Sequence, residues 1–406
     1  MTVFKAAFGQ AHGHDLQRRF YSGRDPARAI EIGDLRAMAR RRIPTFAFEY
    51  LEGGAEAELT LKRNRSVYDR IGLMPRMLRP TTGTSLGTEI FGTPVPIPMA
   101  VAPTGLNGLQ WPKADVALAR AAAAAGIPFT QSSVSNDPLE EVAAVPGLRH
   151  WMQLYVFRSQ EAVEMLVSRA EAAGSEAIVL TVDGSVFGNR VWDKRAYVTP
   201  TSPTLARKLE VLTHPRWLKD FLRTGMPQFG TLAPMMPGGN ADLMATNAWL
   251  RDQVDPDLDW DKVAWLRKRW PRRLIIKGLL APEDVDLAAQ HGADAVVLSN
   301  HGGRQLDGAP SPIDVLEQAV AVAAGRLAIF VDSGIRRGSD IVKALALGAD
   351  GVLVGRAGLY GLGAAGTPGA MRAHAILREE AERVAALIGC RSRDALDPAC
   401  LIRDFD

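Results

Sequence analysis

The chain has 406 residues, 47% of them hydrophobic and 23% charged, with a formal net charge of +3. This is a globular composition, long enough for one large α/β barrel or two smaller domains, and so slight a charge gives no global argument for a nucleic-acid partner. The only cysteines, Cys390 and Cys400, make no disulfide framework and fit a reducing compartment, and there is no run of 18 apolar residues that would span a membrane.

The N-terminal stretch "MTVFKAAFGQAHGHDLQRRF" lacks the apolar core of a secretory signal. Without a clear apolar period, residues 1–28 read as a flexible extension, which leaves 29–406 as one domain. Eight short apolar, β-branched runs follow: "PIPMAVAP", "IPFTQSS", "HWMQLY", "AIVLTVD", "RLIIKG", "AVVLSN", "AIFVDS" and "GVLVGR". Between most of them lie Ala/Leu-rich helical patterns such as "KADVALARAAAAAG" and "GSDIVKALALG", opened by Ser, Asp or Pro and closed by Gly. Strands apolar on both faces and alternating with helices mean parallel βαβ units. Eight units close as a (β/α)8 TIM barrel, and no GxGxxG follows an early strand to favour an open doubly wound sheet.

One connection breaks the rhythm. After the fourth strand the chain runs about 90 residues before the fifth, with a long insertion at about 196–255. From Pro203 to Phe229 it carries Arg207, Lys208, Arg216, Lys219 and Arg223 against Glu210 and Asp220, a net of about +3. These charges are interleaved with Leu205, Leu209, Leu212, Trp217, Leu218, Phe221 and Leu222, a mixture suited to a membrane interface.

In this barrel the C-terminal strand ends form the active face. They deliver Pro103, Thr104, Gly105, Ser132, Gln153, Tyr155, Thr181, Asp183, Lys277, His301, Arg304, Asp332, Arg336, Gly355 and Arg356. The ends of strands seven and eight, "DSGIRRGSD" and "GRAG", offer glycine-exposed N–H groups with Arg336 and Arg356, a phosphate subsite. His301, Arg304, Arg190, Tyr155 and Asp183 supply a base candidate, two guanidinium forks, a phenol and a carboxylate able to orient the imidazole. No metal site is expected.

"SNHGGRQLDG" resembles the active-site signature of the FMN-dependent L-2-hydroxy acid oxidases and dehydrogenases, and "DSGIRRGSDIVKALALGADGVLVGR" is similar to that family's phosphate-binding stretch. The resemblance runs from about Ile30 to the C-terminus. "YLEGGAE", "PTGLNG", "HPRW" and "GMPQ" are most similar to its mandelate-oxidising members. The resemblance implies an FMN barrel in which His301 is the base, Arg190 and Arg304 hold the substrate carboxylate, and Tyr50 and Tyr155 meet the carboxylate and hydroxyl. Asp183 would pair with the imidazole, and Lys277 would stand beside the flavin N1 and C2 carbonyl. Pro103, Thr104, Gly105, Ser132, Gln153 and Thr181 would meet the flavin's edges. Asp332 would hold the ribityl chain, with Gly334, Arg336, Gly355 and Arg356 at the phosphate. The family's mandelate and lactate dehydrogenases attach to the inner membrane through the long loop and pass electrons to quinone. A peripheral protein on the cytoplasmic face, assembled as a homotetramer, is therefore expected, with a cytoplasmic enzyme as the alternative. Gly105, where the oxidases have alanine, favours a dehydrogenase. Val134, where glycolate oxidase has tryptophan, leaves room for a phenyl ring. "GNRVWDKR" departs from the usual family wording. An L-lactate dehydrogenase or an oxidase is the competing reading within the family. An FMN-barrel isomerase, which would need neither His301 with Arg304 nor the two tyrosines, competes from another class.

Overall fold

A computed structural model describes residues 21–199, 202–236, 246, 249–250 and 252–403. Residues 1–20 of the expected extension lie outside the described residues, as do parts of the insertion. Tyr21 to Arg28, by contrast, are tied to the domain. Tyr21 N donates to Asp34 Oδ1 at 2.7 Å, Arg41 donates to the carbonyls of Tyr21 and Gly23, and the Asp25 side chain caps a turn at Pro26–Arg28. The ordered domain thus begins before residue 29. Hydrogen bonds and the packing of the Tyr21 ring hold this stretch in place of a repeating apolar face, which is why it shows no period in the sequence.

All eight expected strands form: β1 (Met99–Val101), β2 (Phe129–Gln131), β3 (His150–Leu154), β4 (Ala177–Thr181), β5 (Arg273–Leu279), β6 (Ala295–Leu298), β7 (Ala328–Val331) and β8 (Gly351–Val354). They pair in parallel and in sequence order, and β8 returns to β1 to close the barrel. One set of alternating side chains points inward, including Ala100, Trp151, Val179, Ile275, Val297, Phe330 and Leu353, all almost fully buried. Trp151 and Phe330 meet edge to face at 6.1 Å, and Phe91, at the tip of a small hairpin, packs on both at 5.7 and 6.1 Å. Each such buried aromatic contributes roughly 2–3 kcal/mol from apolar area alone. These rings close the N-terminal end of the barrel. The other end stays open to polar chemistry.

Among the described residues three α-helices precede the barrel: Ile32–Arg42, Thr45–Glu52 and Leu59–Asp69. The first opens with a reciprocal Glu31/Asp34 capping box. The third packs its backbone against the loop after β6, where Asn64 and Asn300 exchange amide hydrogen bonds at 2.8 and 2.7 Å. That loop holds three consecutive left-handed residues, His301 (φ 59), Gly302 (φ 67) and Gly303 (φ 76).

Within the insertion, helices Leu205–Glu210 and Pro215–Thr224 flank a short turn. They lie on the helices Ile32–Arg42 and Thr45–Glu52. Trp217 stacks on Phe221 at 3.7 Å, meets Phe46 edge to face at 5.7 Å, and donates its indole N–H to Leu109 O at 2.8 Å. Asp220 pairs with Arg42, and Glu210 accepts from Thr45 N at 3.0 Å. The apolar residues counted together in the sequence therefore divide. Trp217 and Phe221 are buried in the domain, whereas Leu205, Leu209, Leu212 and Leu222 are exposed. No helix among the described residues is long and apolar enough to cross a membrane.

A Cβ at residue 303 would stand 2.7 Å from the Leu61 backbone in a left-handed conformation, while one at Gly147, equally left-handed, would meet nothing within 4 Å. Gly303→Ala is expected to cost about 2 kcal/mol or more and Gly147→Ala about 1. The apparent Tm of the two variants, measured side by side, checks that order.

Candidate active site

The open end of the barrel holds a cavity of about 510 Å³ lined by residues from all eight strand ends and from the helix Thr45–Glu52. With the exception of Asp183, which stands just behind its wall, every residue singled out from the sequence lines it.

The imidazole is placed by backbone geometry first. His301 takes φ 59, its N–H donates to Ser299 Oγ at 3.0 Å, and its Nδ1 faces Asp183 Oδ1 at 3.1 Å. Asp183 comes from the turn after β4, two strands away along the wall. Burial works to raise its pKa, but its pairing with His301 and the charge of Lys277 outweigh that and hold it below the ordinary carboxylate range. Burial, helped by the charges of Lys277 and Arg190, lowers the pKa of His301 against the opposing pull of Asp183, which favours the neutral ring. With Nδ1 committed to the carboxylate, Nε2 is left to accept a proton.

Two guanidiniums stand nearby. Arg304 Nη1 donates to the carbonyls of Tyr50 and Gly53 at 2.8 Å each, and the guanidinium lies 5.0 Å from the centre of the Tyr50 ring. Burial and the neighbouring Arg190 push its pKa down to about 9, which still leaves it charged at neutral pH. Its Nε and Nη2 remain for an anion. Tyr155 is half-buried in the same cavity; burial and the charge of Asp183 raise the pKa of its phenol, so it stays protonated.

Lys277 is enclosed at the end of β5, where Nζ donates to Ser299 Oγ at 3.0 Å and lies 3.4 Å from Asp332 Oδ2. Burial opposes its charge, yet Asp332 and Asp183 together raise its pKa above the ordinary lysine value. Ser299 thus holds both the lysine and the histidine loop. Nothing in its residue type marks that role in the sequence.

At the ends of β7 and β8, Arg336 N donates to Asp340 Oδ2 at 2.8 Å, and the Arg336 guanidinium lies 5.5 Å from the Tyr360 ring. Arg356 is spent more heavily than a phosphate ligand need be. Its Nε, Nη1 and Nη2 donate to the carbonyls of Leu51, Gly302 and Gly53 at 2.9, 2.8 and 2.9 Å, leaving two of its five N–H bonds for an anion.

The cavity fits a flavin mononucleotide on its own features. Gln153 Nε2 and Thr181 Oγ1 are buried without a hydrogen-bond partner among the described residues, and both belong to strand ends that line it. Orphaned polar groups of this kind ask for a polar-edged ligand. Lys277 gives the wall a fixed positive charge, and Arg336 and Arg356 add two guanidiniums to it.

Gly105 and Val134, taken separately in the sequence, prove to be one contact. A Cβ on residue 105 would stand 2.3 Å from Val134 Cγ2. The cavity also includes residues that the sequence reading did not single out. Asn107, Leu109 and Gln110 lie within or beside the quoted "PTGLNG"; Phe187, Gly188 and Asp193 lie within or beside the atypical "GNRVWDKR". Phe229 and Leu250 reach it from the insertion and carried no local signal.

The chain belongs to the FMN-dependent dehydrogenase family, whose sequence pattern matches residues 39–403. It is an FMN-dependent 2-hydroxy acid dehydrogenase by class. It is 44% identical over 370 residues to the (S)-mandelate dehydrogenase of Pseudomonas putida, covering 91% of this chain and 93% of that one. It is 42% identical over 360 residues to the L-lactate dehydrogenase of Chromohalobacter salexigens, covering 88% and 92%. The crystal structure of monotopic membrane protein (S)-mandelate dehydrogenase superposes with a TM-score of 0.88 at 42% identity, over 93% of this chain and all of that one.

Because a base must be neutral to act and burial lowers the pKa of His301, kcat/KM should be full above the ordinary histidine range and fall only as pH drops below about 6.5. Asp183→Asn removes the influence that raises this pKa. The acid limb should then move to lower pH while the rate falls by roughly a hundredfold or more, since the imidazolium that forms loses its counter-ion. Anaerobic flavin-reduction rates across pH measure both. An acid limb that moves upward would contradict the assignment.

Proposed function

We propose that the protein oxidises (S)-mandelate to benzoylformate and delivers the electrons to a membrane quinone rather than to oxygen. The observation that carries the reading is the His301 ring, oriented by Asp183 at 3.1 Å, in the same cavity as the guanidiniums of Arg190 and Arg304. FMN, when bound, supplies the two-electron acceptor for the substrate's Cα–H bond. Arg304 and Arg190 fix the carboxylate of the 2-hydroxy acid, and Tyr50 and Tyr155 bound the carboxylate and hydroxyl. His301 Nε2 receives the substrate proton, and Asp183 stabilises the imidazolium. With FMN bound, Lys277 would set a fixed positive charge beside the flavin N1 and C2 carbonyl, Asp332 would hold the ribityl chain, and Gly334, Arg336, Gly355 and Arg356 would surround the phosphate. Pro103, Thr104, Gly105, Ser132, Gln153 and Thr181 would meet the ring's other edges.

Val134, a short side chain packed on Gly105, supports a substrate with an aryl ring. The similarity to L-lactate dehydrogenases favours lactate as the second reading. Anaerobic flavin bleaching with glycolate, L-lactate and both mandelate enantiomers decides between them. The (S)-mandelate reaction should be fastest, and His301→Ala should keep FMN yet lower it by several orders of magnitude. If lactate outruns mandelate, the second reading takes over.

The insertion supports peripheral attachment to the cytoplasmic face of the inner membrane, by a protein we take to be a homotetramer. Leu205, Leu209, Leu212, Leu222 and Met226 are 58–78% exposed there, beside exposed Lys208, Arg216, Lys219 and Arg223. Single exposed apolar residues are ordinary; four leucines and a methionine on one basic segment support a docking surface. The similar (S)-mandelate dehydrogenase is itself a monotopic membrane protein. Co-sedimentation with anionic phosphatidylglycerol vesicles at low salt should be lost when Leu205, Leu209, Leu212 and Leu222 become serine, with anaerobic flavin reduction largely kept. Equal sedimentation of that variant would return the surface to subunit packing.

A further inference from the structure

One acidic group in the cavity has no part in the chemistry above. Asp193 sits on the short helix Val191–Ala196 at the cavity mouth, and its side chain is only 16% exposed. Its Oδ2 lies 4.0 Å from Arg190 Nη1 and 4.0 Å from Arg304 Nη2. Its Oδ1 is buried without a hydrogen-bond partner among the described residues and faces Gly53, where a Cβ would stand 3.2 Å away. A carboxylate therefore already stands between the two guanidiniums offered to the substrate's carboxylate, close enough to act through its field and too far to hold either by a hydrogen bond.

Arg304 does not need Asp193 for its position. The carbonyls of Tyr50 and Gly53 and the face of the Tyr50 ring already fix it. What Asp193 changes is charge. Arg190, Arg304 and Arg356 bring three positive charges to one wall, and a carboxylic acid bound there leaves as a 2-oxo acid with the same carboxylate. A site that held that anion too tightly would keep its product.

Resting on the reading of this site as a 2-hydroxy acid site, we infer that Asp193 is an affinity-setting residue, an internal counter-ion that weakens the hold of Arg190 and Arg304 on the substrate and product carboxylate. Burial raises its pKa against the opposing pull of Arg304, Arg190 and Arg356, as befits a carboxylate that gains no hydrogen bond in return.

The test is calorimetric binding to the FMN-loaded protein of two probes of similar shape, phenylacetate, an anion, and 2-hydroxy-phenylacetamide, which is uncharged. Asp193→Asn, matched in shape, and Asp193→Ser, smaller, are compared with the native protein. Both variants should bind phenylacetate roughly tenfold more tightly and the amide unchanged, with KM for the anionic substrate falling in step. Phenylacetate binding that is unchanged or weaker in both variants overturns the inference, and so does equal tightening of both probes, which would mean a wider mouth and not a changed field. If the native protein binds neither probe while holding FMN, the reading of the site falls and takes this inference with it.

Discussion

The site depends on a capture of two buried guanidiniums by backbone carbonyls. Arg304, from the loop after β6, and Arg356, from the end of β8, donate together to the carbonyls of Tyr50, Leu51, Gly53 and Gly302. Charge-assisted bonds of this kind contribute about 1.5–3 kcal/mol each, and a buried arginine without them would be strongly unfavourable. The capture ties the end of the helix Thr45–Glu52 to two barrel loops, carries Tyr50 over the cavity, and presses Gly303 onto the Leu61 backbone. The left-handed run from His301 to Gly303 is the conformation that this contact demands, and it is what turns the imidazole toward Asp183.

The wall is strongly one-sided in charge. Arg190, Lys194, Lys277, Arg304, Arg336 and Arg356 line the cavity against Asp193 and Asp332, so six positive groups face two negative ones. The excess suits a phosphate and a carboxylate bound together, and the low dielectric of the enclosed cavity strengthens both attractions. Within this field the acids work locally. Asp332 steadies Lys277, Asp183 steadies His301, and each keeps its partner's charge or orientation where burial alone would lose it.

The insertion joins the surface to the site. The Trp217 indole donates to the carbonyl of Leu109, and Leu109 itself lines the cavity, as do Phe229 and Leu250 from the same insertion. The segment is therefore amphipathic in a particular sense. Trp217 and Phe221 anchor it to the domain, and Leu205, Leu209, Leu212 and Leu222 are left outside with Lys208, Arg216, Lys219 and Arg223.

By itself the sequence determined the barrel and the chemistry of its open end. Eight apolar runs of the right length, separated by capped helical patterns, admit few closures other than (β/α)8, and polar residues at strand ends have to face that open end because the barrel interior is apolar. Local periodicity carries such information because each strand is buried on both faces. The sequence could not divide the insertion's apolar residues, since Trp217 and Leu222 look alike until Phe46 and Leu109 stand beside one of them. Nor could it show that Ser299 holds two functional groups, that Gly105 and Val134 are one contact, or that Asp193 stands between two arginines. Each of these rests on residues far apart in the chain or on side chains ordinary in type. Only the closure of the barrel, and the capture of its arginines by the N-terminal carbonyls, brings them within reach of one another.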